Sequence, residues 1–222
     1  ESGVTAIEET IFAGVPVNVT LLFSREQYLA AAEAYLRGIE RRIAAKLDPK
    51  VDSVASLFVS RWDVAVKDKV TPALRNRLGI AIAKRTYKAY RELLASPRWR
   101  KLAGAGARPQ RLLWASTGTK DPDASDTLYI EALAAPDTIN TIPDKTLFAF
   151  ADHGQVKGVL PPEGGDAEQV IAAFARAGVD DTALAAQLLH EGTQSFDKSW
   201  NDLMDCIAAK SNVLKVAQAY ER

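Results

Sequence analysis

Residues 15–24, VPVNVTLLFS, indicate the fold class, because an apolar β-strand here leads directly into a helix. Only Asn18 and Thr20 interrupt the apolar run, two positions apart. Successive side chains of a strand point to opposite faces, so the polar pair is expected on one face of a sheet. The alternation predicts one face with Pro16, Asn18, Thr20 and Leu22 and an apolar face with Val17, Val19, Leu21 and Phe23.

Predicted helices flank this strand. Apolar residues at helical spacing precede it, and Gly14 is a suitable C-cap for that first helix. Ser24, an N-cap residue type, opens a second helix that extends to about Lys46. The segment therefore predicts a helix, a strand and another helix in succession.

The strand–helix unit recurs along the chain. Further strands are predicted at 51–60, 111–116 and 138–143, with a long helical region at 71–95 and a helical stretch at 127–136. Strands separated by helices indicate parallel pairing, because a parallel connection needs a crossover of a dozen or more residues. After residue 165 the pattern predicts helices alone, at 166–177, 180–191 and 195–219.

Charge and composition limit the function classes. The 28 basic and 28 acidic side chains cancel, so no overall field is expected to attract nucleic acid or a membrane. Cys206 is the one cysteine, and this usage predicts a protein of the reducing cytoplasm. His153 and His190 lack metal-binding spacing, so a metal site is not expected, and the missing glycine fingerprint disfavours a flat doubly wound sheet.

Asn18 and Thr20 have two open interpretations. Polar groups near the carboxyl end of a barrel strand reach the active-site mouth, which favours a catalytic role. The pair is equally suited to hydrogen bonds that hold neighbouring strands together.

Two later strand ends carry candidate binding residues. Ser56 lies within the second strand, and Arg61 follows it, where a planar guanidinium suits phosphate. The alternative for Arg61 is a salt bridge to Asp63. Ser116 and Lys120 belong to a hydroxyl-rich turn that suits phosphate, or they lie in an ordinary strand-to-helix loop.

Four segments, in order along the chain, resemble transaldolases of the longer-chain branch also found fused to glucose-6-phosphate isomerase. They are GVPVNVTLLFSREQYLAAAEAYLRGIERR, SVASLFVSRWD, RLLWASTGTKDP and NTIPDKTLFAFADHG. The resemblance implies a (β/α)8 TIM barrel. It also implies an enzyme of the pentose phosphate pathway that moves a dihydroxyacetone unit from sedoheptulose 7-phosphate to glyceraldehyde 3-phosphate, giving erythrose 4-phosphate and fructose 6-phosphate, without metal or cofactor.

The resemblance also implies roles for individual residues. Asn18 and Thr20 match residues that contact the dihydroxyacetone unit and a catalytic water. Three others match binding residues, with Ser56 near the substrate hydroxyls and Arg61 and Ser116 at the phosphate. Many relatives have a second phosphate-binding arginine where this chain has Gly118, and Lys120 is a candidate for the replacement cation.

The family's Schiff-base lysine has no counterpart here. ESGV, residues 1–4, resembles the end of the motif K-I-P-A-T-x-x-G-[ILV], which would put the lysine about five residues before Glu1. We therefore expect residues 1–222 to form a single domain equivalent to barrel strands 5–8 plus C-terminal helices, with β/α units over 1–165 and helices over 166–222.

A half-barrel exposes two sheet edges and a polar inner face. We expect a missing N-terminal half-barrel or self-association to cover them, and we expect this chain alone to be inactive. Two alternatives stay open: a non-catalytic half-barrel that binds sugar phosphates or serves in assembly, and a Schiff base on Lys120.

Overall fold

A parallel sheet of four strands with helices between them forms the centre of the computed structural model, which describes the backbone of residues 2–220 and the side chains of residues 3–211. The strands are β1 (Val17–Leu22), β2 (Ser53–Phe58), β3 (Gln110–Ala115) and β4 (Ile139–Asn140). The helices are α1 (Ser2–Phe12), α2 (Arg25–Ala44), α3 (Ser60–Val66), α4 (Leu78–Ala95), α5 (Pro97–Gly104), α6 (Leu128–Ala132), α7 (Asp144–His153), α8 (Ala167–Arg176) and α9 (Asp181–Tyr220), with a 3-10 turn at Pro72–Leu74.

The sheet follows the order of the sequence. Its order is β1-β2-β3-β4, and every neighbouring pair is parallel, so the predicted α/β class with parallel strands is confirmed. Asn18 pairs with Val54, and Val54 pairs with Arg111, which puts these three residues at one level of the sheet. The fourth predicted strand, 138–143, is reduced to two residues.

Helices α2 and α4 pack against one face of the sheet, here called the outer face. Leu57 of β2 and Trp114 of β3 lie in one buried cluster with Tyr28 of α2 and Tyr87 and Tyr90 of α4. The indole of Trp114 donates to the carbonyl oxygen of Leu133 at 3.0 Å, so its polar group is satisfied inside the apolar layer. Aromatic residues thus fix how the crossover helices lie on the sheet.

The first two helices form the predicted arrangement around β1. Gly14 has φ +84 and follows the last turn of α1 as a C-cap, and the Ser24 hydroxyl accepts from the Gln27 amide at the start of α2, so both predicted caps are confirmed. Gly38 of α2 lies so near α1 that an added β-carbon would be 2.7 Å from Cγ2 of Ile11. A glycine is required there for the close packing of the two helices.

A β-bulge makes the predicted alternation of β1 wrong at its end. The register shifts between Val19 and Leu22, and Leu21 has φ 59. As a result Leu22 packs with Val19 on the outer face, while Leu21 and Phe23 join a different cluster. The pattern of residues 15–24 did not show this extra residue, because a bulge changes register without changing composition.

Two helical predictions also need correction. The region 71–95 is interrupted, because the chain turns at Asn76, which has φ 59, before α4 begins at Leu78. The region 180–219 is one continuous helix, α9, instead of two. Gly192 lies within it and does not end it, since an isolated glycine costs an α-helix only about 1 kcal/mol.

The face of the sheet opposite the outer helices, here called the inner face, is open over part of its area. Asn18, Thr20 and Arg111 are exposed on this face, whereas Leu113 and Ala115 farther along β3 are buried. Beyond Gly192, the described side chains of α9 up to Lys210 are also exposed. None of the helices in the described part of the chain is long and apolar enough to cross a membrane.

Candidate functional site

A cleft of about 620 Å³ lies beyond the carboxyl ends of β2 and β3. Ser60 and Arg61 at the start of α3 line it from one side, and Ser116 and Lys120 after β3 line it from another. Helix α9 contributes Glu191. The carboxyl ends of parallel strands are where α/β proteins bind their ligands, so the cleft is the first candidate site.

The parallel pairing continues past the strand ends and holds two serines together. The Val59 amide donates to the Ala115 carbonyl, and the Ser60 amide donates to the Ser116 carbonyl, each at 3.0 Å. The Oγ atoms of Ser60 and Ser116 are then 2.8 Å apart. Ser116 has φ 56, a conformation that few non-glycine residues adopt, and its position depends on these bonds.

Arg61 lies in the first turn of α3, a helix that the sequence analysis missed, and not directly at the strand end. Its guanidinium carbon is 5.2 Å from the centre of the Phe58 ring, within range of a cation–π contact. No carboxylate in the described part of the chain pairs with it. The expected alternative, a salt bridge to Asp63, is wrong, because the Asp63 carboxylate has other partners.

The buried Asp63 holds helix α3, which carries Arg61, in place. Its carboxylate accepts from the Leu78 amide at 2.9 Å and from the Tyr129 hydroxyl at 2.8 Å, which ties α3 to the beginning of α4. Burial raises the pKa of Asp63 to about 6, although these hydrogen bonds act in the opposite direction. The group therefore fixes the helix that carries Arg61.

Lys120 is exposed at the mouth of the cleft. Its Nζ lies 3.8 Å from the position that a β-carbon of residue 118 would occupy. The neighbouring Asp121 does not hold this lysine, since it pairs with Asn76 at 2.8 Å and with Lys67 at 3.1 Å. These two bonds, that to Asn76 first, lower the pKa of Asp121.

Asn18, Thr20 and Ser56 form a separate group on the inner face. The buried Ser56 hydroxyl donates to Oδ1 of Asn18 at 2.7 Å, across β1 and β2. Thr20 is exposed next to them. Asn18 lines a groove of about 290 Å³ with Arg111, which is distinct from the cleft that contains Arg61.

The structure thus brings Arg61, Ser116 and Lys120 together, and it joins Ser56 to Asn18. Sequence reasoning missed Ser60 and Glu191 in the cleft. Ser60 precedes Arg61 in the sequence, and this position next to a predicted binding residue could have identified it. Glu191 lies on a helix remote in sequence, and no local pattern indicates it.

The fold and the cleft define a class of protein. Two cations, two hydroxyls and one carboxylate, that of Glu191, line a cleft at the carboxyl ends of a parallel α/β sheet. The two cations and two hydroxyls are a donor set suited to an anionic phosphate ester. The family model described as "Transaldolase/Fructose-6-phosphate aldolase" matches residues 1–207, and the chain belongs to this family. The α/β barrel type of the family agrees with the parallel sheet and helices observed.

Several bacterial relatives are similar over nearly the whole chain. A transaldolase of Frankia alni is 48% identical over 217 residues, which are 94% of this chain and 58% of the relative. A transaldolase of Parafrankia is 46% identical over 93% of this chain and 58% of the relative. One of Mycolicibacterium smegmatis is 41% identical over 96% and 60%. The chain therefore spans about three-fifths of the length of these relatives.

Proposed function

We propose that the chain is the substrate-positioning part of a transaldolase. This enzyme transfers a dihydroxyacetone unit from sedoheptulose 7-phosphate to glyceraldehyde 3-phosphate through a lysine Schiff base. Membership of the family supports the reaction class. The proposal places the Schiff-base lysine outside residues 1–222, on a part of the barrel that this chain does not contain.

The observation that carries the proposal is the cleft around Arg61. Its guanidinium has no ion-pair partner among the described residues, and it lies beside the joined hydroxyls of Ser60 and Ser116. A phosphate ester would supply the missing anion, because a guanidinium and hydroxyl groups can bind its oxygens with charge-assisted hydrogen bonds. We assign the phosphate of both sugar substrates to this cleft.

Lys120 is assigned as the second cation of the phosphate site. Its ammonium group approaches the space beside Gly118, where the resemblance to transaldolases implies an arginine in many relatives. A β-carbon at residue 118 would lie 3.3 Å from Cγ of Pro143, so little room exists there for a larger side chain. Lys120 reaches the same region from two residues farther along the turn.

Asn18, Thr20 and Ser56 are assigned to the dihydroxyacetone unit. The Ser56 hydroxyl uses its proton on Oδ1 of Asn18, which orients the Asn18 amide group so that its NH₂ is available to a ligand. Thr20 offers an exposed hydroxyl on the same face for a substrate hydroxyl or a water. These groups would position the three-carbon unit while the lysine holds it covalently.

The proposed transaldolase reaction requires a Schiff-base lysine that is not among the groups of the cleft and the inner face. The lysine amine adds to the ketose carbonyl and loses water, the C4 hydroxyl gives its proton to a carboxylate outside residues 1–222, and the bond between C3 and C4 breaks to release erythrose 4-phosphate. The retained enamine adds to the aldehyde carbon of glyceraldehyde 3-phosphate, the aldehyde oxygen takes the proton back from the carboxylic acid, and hydrolysis frees fructose 6-phosphate. We therefore expect the 222-residue chain by itself to bind phosphate but not to turn over.

A second function would use the same cleft without catalysis. A half-barrel that binds sugar phosphates needs Arg61, Ser116 and Lys120 but no Schiff base, and the open inner face is equally compatible with it. A third possibility makes Lys120 the Schiff-base lysine. Its exposure argues against this role, because an amine nucleophile is usually activated by burial that lowers its pKa.

Borohydride trapping tests these functions. The chain is incubated with fructose 6-phosphate and reduced, alone and after coexpression with the part of the Frankia alni transaldolase that it does not match. We expect a dihydroxyacetone adduct only in the coexpressed complex, on a lysine of the added part. A complex without any adduct would support the binding protein, and an adduct on Lys120 of the chain alone would overturn our assignment.

A further inference from the structure

Arg111 is the one cation that the described strands place on the inner face. Parallel register puts it level with Val54 and Asn18, and all three line the groove of about 290 Å³. The described inner-face residues of the four strands are Asn18, Thr20, Leu21, Val54, Ser56, Phe58, Arg111, Leu113, Ala115 and Ile139. None of these ten is acidic.

The Arg111 side chain has no ion pair or hydrogen bond to another described residue. Asp52 is the acidic residue that lines the groove, and both of its carboxylate oxygens accept from Arg108, at 2.9 and 2.7 Å. Water satisfies the exposed Arg111 guanidinium while the face is open. A polypeptide that covers the face removes this water.

Burial of an unpaired guanidinium is strongly unfavourable, so a polypeptide that buries the Arg111 guanidinium has to supply a negative charge. A second copy of the chain does not meet this requirement. Two copies that close one parallel barrel are related by a two-fold axis, so each inner face contributes the same groups at the same level. The shared interior would contain two Arg111 side chains and no carboxylate from either set of inner-face strand residues.

We infer that the inner face binds a non-identical half-barrel whose own inner surface presents a carboxylate to Arg111. This inference rests on the proposed function, since we take the partner to be the part of the transaldolase relatives that the chain does not span. Arg111 is a recognition residue of this interface and takes no part in the phosphate site. Its charge selects the complementary half and opposes pairing of two like halves.

Coexpression with the unmatched part of the Frankia alni transaldolase, tagged separately, tests the interface. The chain is compared with Arg111→Lys, Arg111→Met and Arg111→Glu variants. Arg100→Met is the matched control, because Arg100 is an exposed arginine of α5. Light scattering after size exclusion measures the mass of each chain alone, and copurification followed by dissociation kinetics measures the complex. Circular dichroism verifies that each variant is folded.

The test depends on whether Arg111→Met weakens or strengthens association with the partner half-barrel. If a carboxylate faces Arg111, Arg111→Met leaves that carboxylate buried without a partner, and we expect at least tenfold weaker association, with a greater loss for Arg111→Glu and a smaller one for Arg111→Lys. Association that is unchanged or tighter with methionine would overturn the inference, as would a stable wild-type homodimer or failure of the folded wild-type chain to capture the partner.

This outcome is separable from failure of the proposed function. A complex that depends on Arg111 but yields no borohydride adduct would retain the interface and remove the transaldolase chemistry. A complex that yields the adduct and associates equally well with and without Arg111 would support the transaldolase chemistry and overturn the role of Arg111 at the interface.

Discussion

Gly192 of helix α9 packs directly against Arg61 at the candidate phosphate cleft. A β-carbon on Gly192 would lie 3.3 Å from Nη1 of Arg61 and 3.0 Å from Cδ2 of Leu21. Both distances are shorter than ordinary van der Waals contacts, so the absence of a side chain at residue 192 lets the helix approach the guanidinium.

Gly192→Ala should separate phosphate affinity from stability. Alanine favours the helix by about 1 kcal/mol over glycine, which offsets the steric strain, so we expect little change in the free energy of unfolding. Displacement of Arg61 should nevertheless weaken binding of inorganic phosphate by severalfold, measured from the amide shifts of Ser60 and Ser116. Gly104→Ala is the control, since its β-carbon would meet no neighbour within 4 Å. Equal phosphate affinity in both variants would contradict the contact.

Arg61 should dominate phosphate binding by the chain. Arg61→Gln removes the charge and the planar donor fork, and charge-assisted hydrogen bonds contribute about 1.5–3 kcal/mol, so we expect at least a tenfold rise in the phosphate dissociation constant. Arg61→Lys should recover only part of the affinity. Arg100→Gln removes an exposed arginine of α5 and should leave the constant unchanged. Comparable losses in both glutamine variants would indicate nonspecific charge attraction.

The Asn18–Ser56 hydrogen bond should give a measurable coupling free energy in a double-mutant cycle of unfolding. Ser56 is buried, so Asn18→Ala leaves its hydroxyl without this partner, and the cost should be about 1–3 kcal/mol. Ser56→Ala should cost less, because water can reach the exposed Asn18. Urea unfolding of both single variants and the double variant should give a coupling near 1 kcal/mol. Thr20→Val, at an exposed position, provides the control.

Asp63 should make stability depend on pH. Burial raises its pKa to about 6 in the folded chain from the ordinary value of 3.8, so folding retains a proton between these values. The associated stabilisation is complete below about pH 4 and is lost as pH rises through 6, a change of about 3 kcal/mol. The stability of the wild type relative to Asp63→Asn should therefore fall between pH 4 and 7. A carboxyl titration midpoint near 4 by NMR would disprove this.

Periodicity was enough to predict the central part of the fold. Three of the four strands and the helix after Ser24 lie where the pattern indicates, because burial of one face imposes a spacing that sequence displays directly. The failures have local causes. The bulge at Leu21 depends on a left-handed backbone conformation at a residue type that rarely adopts it, so composition does not mark it. The turn at Asn76 uses the same conformation at a residue type that adopts it more readily, a signal that the helical spacing of the region concealed.

The site was predictable to the extent that it follows strand ends. Ser116 and Arg61 come soon after β3 and β2, so parallel pairing brings them to the same edge of the sheet. Gly192 and Glu191 meet this edge only because α9 crosses near it, and long-range helix placement has no signature in the local pattern. The exposed Arg111 follows from alternation in β3, but its significance depends on the register with Asn18.

The bulge in β1 gives this strand one residue more than simple alternation between its two faces requires. Val19 and Leu22 share the outer face although they are three positions apart, so the strand consists of two segments in opposite phase. Loss of one codon between them would remove the bulge, restore simple alternation and keep Leu22 on the outer face with Val19. Single-residue deletions between Val19 and Leu22 should therefore be found in natural variants, together with exchanges among apolar residues at the same positions.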